Sequence, residues 1–144
     1  MLKTMIATSV ACFLTAATAN ADTFDVLMLN SGVEGAMVFE PAFVAAAPGD
    51  TINFIATDPG HNVETIEGMF PAGAEPMDSE MGENFSVTLT VEGVYGIKCT
   101  PHYPMGMVAL IQVGAPVNME EAAAVTLRGK AKSRFEPLFA QVVQ

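Results

Sequence analysis

Between Asp22 and Gly114 no uninterrupted apolar run exceeds six residues, the longest being Ala42 to Ala47, and the runs stop at Gly, Pro, Asn or Asp. Runs this short exclude a membrane-spanning helix, which needs about 20 apolar residues. Their internal alternation points instead to strands, because successive side chains in a strand face opposite ways. Thr23 to Leu29 stops at Asn30-Ser31-Gly32, and Met37-Val38-Phe39 stops at Glu40-Pro41. Phe43 to Ala47 runs into Pro48-Gly49-Asp50, where Pro presets one turn angle and Gly supplies a positive one. Thr51 to Ala56 stops before Asp58-Pro59-Gly60. Phe85 to Val91 alternates strictly, which predicts that Phe85, Val87, Leu89 and Val91 share one face. Val94 to Lys98 and Met107 to Val113 complete seven or eight short strands, the pattern of an all-β sandwich. Met69 to Gly82, rich in Pro, Gly and acid, has no period and reads as loop.

The two ends differ from this middle. Residues 1–21 open with Met1-Leu2-Lys3, continue through an apolar stretch to Ala17 and close on Ala19-Asn20-Ala21, the form of a cleavable secretory signal. The mature chain then begins at Asp22 and keeps 123 residues, enough for one domain with a core. Residues 22–114 are expected to form the sandwich and 115–144 a helical extension packed on the same domain. Asn118-Met119-Glu120-Glu121 resembles a capping box, predicting a helix from about Met119 to Leu127 that ends at Gly129. A second helix spans about Ala131 to Val142, with Pro137 expected to kink or delay it.

Losing Lys3 with the signal leaves five basic against sixteen acidic side chains, a net charge of −11, which excludes nucleic acid as a partner. A content of 51% hydrophobic and 15% charged residues excludes disorder. Cys12 falls in the signal, so the exported chain retains Cys99 alone and has no internal disulfide. An unpaired thiol in an oxidising compartment is buried, reactive or bound.

Cys99-Thr100-Pro101-His102-Tyr103-Pro104-Met105-Gly106-Met107 joins two expected strands and carries a thiolate, an imidazole and two thioethers. His61, after the Asp58-Pro59-Gly60 turn, is the other histidine of the chain. Two imidazoles and one thiolate with a weak axial thioether suit Cu(I) and Cu(II) alike, so one-electron exchange needs little rearrangement. Zinc accepts the same nitrogen and sulfur donors but gains little from a neutral thioether. Three other readings compete: a Cys99 nucleophile with His102 as base, a methionine-rich copper chaperone, and an inert buried cysteine. The tight shared loop, the lack of an orienting acid beside it and the idle thioether weigh against the nucleophile.

The loop from Cys99 to Met107 and the segment Gly60-His61-Asn62-Val63-Glu64 resemble those of the small blue copper proteins, the cupredoxins, and among them the pseudoazurins. Plastocyanins share the Cys-x2-His-x4-Met spacing, so a plastocyanin-like carrier with another acceptor is the alternative. The resemblance implies an eight-stranded Greek-key sandwich with two short C-terminal helices, and one copper ion held by His61, Cys99, His102 and Met107. It favours Met107 over Met105 as the axial donor. It also implies a monomeric periplasmic carrier of single electrons rather than an enzyme, passing them to redox proteins such as nitrite reductase or c-type cytochromes. Those partners would dock near His102, with Met37, Pro101, Pro104 and Met105 as the apolar rim. Asn62 would tie the two ligand segments together beside the sulfur. Pro101 has no N–H to offer the thiolate, which holds the reduction potential down. One feature departs from the family: where its copper face usually carries lysines, matching loops here hold Glu64, Glu67, Glu75, Asp78, Glu80 and Glu83. A partner with a basic or apolar docking patch is the expectation that follows.

Overall fold

A computed structural model describes residues 20–144. The signal assigned to residues 1–21 lies almost wholly outside the described residues. Eight strands follow in order: β1 Thr23–Gly32, β2 Gly35–Glu40, β3 Phe43–Ala46, β4 Asp50–Ile55, β5 Glu64–Thr65, β6 Phe85–Leu89, β7 Gly93–Lys98 and β8 Val108–Val113. They form two four-stranded sheets, ordered β2-β1-β4-β6 and β3-β8-β7-β5. Two pairings are parallel, β1 with β4 and β3 with β8, and the rest are antiparallel. Their facing sides enclose one core that includes Met28, Phe39, Ile52 and Phe54 from the first sheet and Tyr95, Ile97, Ala109 and Ile111 from the second.

Phe85, Val87 and Leu89 do share the inward face, but only Leu89 is fully buried, because β6 is the edge of its sheet. β8 shows the opposite, with all six residues buried. Its alternate side chains go to two places: Ala109, Ile111 and Val113 to the sandwich core, Val108 and Leu110 to a second cluster under the C-terminal helices. That second cluster centres on Phe135 and Leu138 and also takes in Val94 and Met69. Gly96 is needed there, since a Cβ on it would lie 2.6 Å from Met69 Cε.

The helices are α1 Met119–Ala124 and α2 Gly129–Phe139. α1 is shorter than the sequence suggests and has no capping box. The Asn118 side chain is engaged elsewhere, accepting from Val94 N–H at 2.7 Å and donating to Val94 C=O at 3.0 Å, so it stitches the segment to β7. Gly129, expected to close the first helix, instead opens the second at φ 57°. Pro137 lies inside α2, which ends two residues beyond it.

The aperiodic stretch from Met69 to Gly82 is a loop with a structural task. Its backbone runs beside the His61 segment: Gly82 N–H donates to His61 C=O, Ser79 N–H to Val63 C=O, and Thr65 N–H to Met77 C=O. Met69 and Met77 anchor it by burial in the two clusters.

Candidate metal centre

His61 sits between the Asp58-Pro59-Gly60 turn and β5, fully buried and backed by the loop just described. Cys99 directly follows β7, also fully buried, and His102 lies three residues on, half-buried, at the cap of a short 3-10 turn, Tyr103–Met105. The loop closes on itself: Cys99 N–H donates to Met107 C=O at 3.0 Å and Met107 N–H to His102 C=O at 3.1 Å. Gly106 makes that return possible in the left-handed conformation at φ 86°. Met107 is fully buried in the same core cluster as Cys99, whereas Met105 is 42% exposed.

This folding brings three donors to one point. His61 Nδ1 and His102 Nδ1 are 3.1 Å apart, and the Cys99 sulfur is 3.7 Å from the first and 3.5 Å from the second. Among the described residues these are the donors of a single cluster of this kind, with no carboxylate in it. Asn30, near the end of β1, identifies which nitrogen of His61 is free. Its Oδ1 lies 2.9 Å from His61 Nε2 and can only accept, so Nε2 carries the proton and Nδ1 turns its lone pair to the cluster. Asn30 is itself held by its N–H donating to Asp58 Oδ2. Sequence reasoning missed Asn30, because an asparagine ending a strand 31 residues before a histidine is indistinguishable from turn chemistry.

Electrostatics match a metal-ligating set. Burial first, and the neighbouring His102 second, hold His61 below its ordinary value, while Asp58 opposes them. Burial pushes the Cys99 thiol up, and backbone hydrogen bonds from Asn62 and His102 pull it back. Asn62 links the two segments: its Oδ1 accepts from Thr100 N–H at 2.8 Å and its Nδ2 donates to Thr100 Oγ1 at 3.1 Å. A soft thiolate facing two imidazole nitrogens, with a buried thioether in the same loop, is a donor set that fits copper.

The C-terminal helix also reaches this end of the molecule, which the sequence did not reveal. A Cβ on Gly106 would lie 3.0 Å from Lys130 Cβ, so α2 starts against the copper loop. Arg134 donates from both terminal nitrogens to the carbonyls of Met37 and Ala36. Lys98 pairs with Glu64 at 3.2 Å and lies 5.7 Å from the centre of the Tyr103 ring.

A two-sheet sandwich that gathers a thiolate and two imidazoles from neighbouring loops at one end defines a type 1 copper protein, a cupredoxin. Residues 26–114 match the family of copper binding proteins described as plastocyanin/azurin. The pseudoazurin of Paracoccus pantotrophus is 49% identical over 139 residues, covering 96% of both chains. That of Methylorubrum extorquens is 52% identical over 125 residues, covering 86% of this chain and 84% of the other. The crystal structure of Methylobacterium extorquens pseudoazurin superposes with a TM-score of 0.82 at 51% identity, covering 83% of this chain and 98% of that one. The pseudoazurin of Hyphomicrobium denitrificans gives 0.81 at 40% identity, covering 85% and 99%. The chain belongs to the pseudoazurins, within the plastocyanin/azurin family. It is a copper-binding electron carrier and not an enzyme.

Proposed function

We propose that this chain is a periplasmic shuttle for single electrons, delivered there by removal of residues 1–21, with one copper ion held by His61, Cys99, His102 and Met107. Copper supplies the Cu(I)/Cu(II) couple. The protein's part is to fix the donors beforehand and to keep water from them. The observation that carries the reading is the convergence of the two Nδ1 atoms and the sulfur within 4.8 Å, with Nε2 of His61 already engaged by Asn30. A site so prepared suits electron transfer better than chaperoning, which calls for exchangeable, exposed donors.

His102 is the one donor of the three that is not fully buried, which supports docking of redox partners over it. Exposed Pro101, Pro104 and Met105 flank it in sequence. Nitrite reductase or a c-type cytochrome is the proposed partner class, met by a single copy of this chain. Adding Cu(II) to the purified chain should give an intense visible thiolate-to-copper band that bleaches reversibly with a mild reductant. A colourless product, or one whose thiol is still alkylated with metal bound, would sink the proposal.

A further inference from the structure

Outside the three converging donors, a connected polar network lies one layer out from the sulfur. β5 is only two residues long, yet its register sets Glu64 opposite Lys98 on β7. Glu64 Oε1 lies 3.2 Å from Lys98 Nζ, and its Oε2 accepts from the Thr100 hydroxyl at 2.5 Å. A carboxylate cannot donate, so the hydroxyl proton belongs to this bond. The Thr100 oxygen is then left as acceptor toward Asn62 Nδ2, which fixes the Asn62 amide with Oδ1 facing Thr100 N–H. Asn62 directly follows His61 and Thr100 directly follows Cys99, so these bonds tie the imidazole's segment to the sulfur's, and a backbone hydrogen bond from Asn62 favours the Cys99 thiolate against the burial that opposes it. Each bond has a direction, and the direction is set at its outer end.

We propose that Glu64 is a positioning residue for the Cys99 sulfur, acting through the Thr100 hydroxyl and the Asn62 amide. The proposal rests on the copper reading for its effect on potential, but the relay itself belongs to the protein alone. With Glu64 in place, the hydroxyl rotor has one orientation and Asn62 has one amide orientation. Without it, the Thr100 hydroxyl can turn to donate elsewhere, the Asn62 side chain loses its acceptor, and the N–H to sulfur bond loosens. A sulfur with fewer hydrogen bonds donates more strongly to the oxidised ion, so the reduction potential falls.

The test uses Glu64→Leu, Glu64→Gln, Thr100→Val and the double variant Glu64→Leu/Thr100→Val. In the copper-free protein, amide hydrogen exchange at Asn62 and Thr100 should quicken about tenfold in Glu64→Leu, the loss expected for one such bond. In the copper-loaded protein, Glu64→Leu should lower the potential and change the relative intensities of the thiolate-to-copper bands. Glu64→Gln, whose carbonyl still accepts from Thr100, should restore both. The double variant should go no further than Thr100→Val, because the two residues act in series. The relay is overturned if Gln behaves like Leu, which would make the charge itself the agent. It is equally overturned if Leu lowers thermal stability while exchange and potential stay put. A wild-type chain that never turns blue would defeat the copper reading, and the exchange arm would still judge the relay.

Discussion

Asn30 offers the sharpest test of how the site is prepared for metal. A neutral imidazole places its proton on either nitrogen, and the Nδ1–H form cannot accept a metal at Nδ1. The bond from His61 Nε2 to Asn30 Oδ1 at 2.9 Å selects the useful form. Asn30 is exposed whereas His61 is wholly buried, so the substitution chosen decides what replaces the lost acceptor. Asn30→Ala opens a path for water, which restores a partner for Nε2 at modest cost. Asn30→Leu keeps the cover and provides no acceptor, so it strands a buried N–H at a cost of about 1–3 kcal/mol. Copper affinity, measured by competition with a chelator and read from the visible band, should therefore fall about tenfold in Ala and toward a hundredfold in Leu. Nitrogen chemical shifts of His61 in the copper-free protein should show the proton spreading onto Nδ1 in Leu. Affinities of both variants within twofold of wild type, or an Ala variant weaker than Leu, would refute the tautomer argument.

Phe135→Ala removes the centre of the cluster between β8 and α2 and should cost about 3–5 kcal/mol by urea unfolding; a loss below 1 would mean that α2 contributes little to stability. Because burial holds the Cys99 thiol above its ordinary 9.0, the copper-free protein carries it protonated near neutral pH, and Cu(II) uptake should release about one proton per ion to a weak buffer. Uptake with no release would mean the thiol is already ionised. Glu64 is held below its ordinary 4.5, by the Thr100 hydroxyl first and Lys98 after it, so its contribution to stability is full above that pH and fades as pH falls through the lowered value. The stability gap between wild type and Glu64→Gln should accordingly shrink on acidification; a gap that widens would contradict the assignment.

The sandwich was legible because strand alternation and turn residues are local signals, and the copper loop because three donor types fell into one spacing. What stayed hidden was long-range pairing. Nothing in Asn30 or Thr100 announces a partner more than 30 residues away, and β5 is too short to show any period. Asn118 misled for a related reason. Its composition suits a helix cap, but a buried strand edge at Val94 needed both a donor and an acceptor, and the tertiary demand prevailed. β7 and β8 hid their two-faced burial because apolar residues on both sides erase the alternation that marks a half-exposed strand.

Charge is where sequence order was least informative, and the structure changes what to expect of a partner. Of the five basic residues that follow residue 21, Arg128, Lys130, Lys132 and Arg134 lie far from Cys99 in sequence, yet α2 begins against Gly106 of the copper loop. The loop bearing Glu75, Asp78 and Glu80, with Glu83 just after it, runs beside the His61 segment. An approaching protein therefore meets two fields, the net charge of −11 that residues 22–144 carry at long range and a cationic edge close to the loop. Salt separates them, because the screening length falls from about 30 Å at 0.01 M to about 10 Å at 0.1 M. With an acidic redox partner, the bimolecular rate should first rise with ionic strength as net repulsion is screened, then fall as the local attraction fades. Lys130→Glu with Lys132→Glu should abolish the falling limb and leave the rising one. A wild-type rate that falls steadily from the lowest salt would show that net charge is not felt at encounter, and one that only rises would leave the α2 edge with no part in docking.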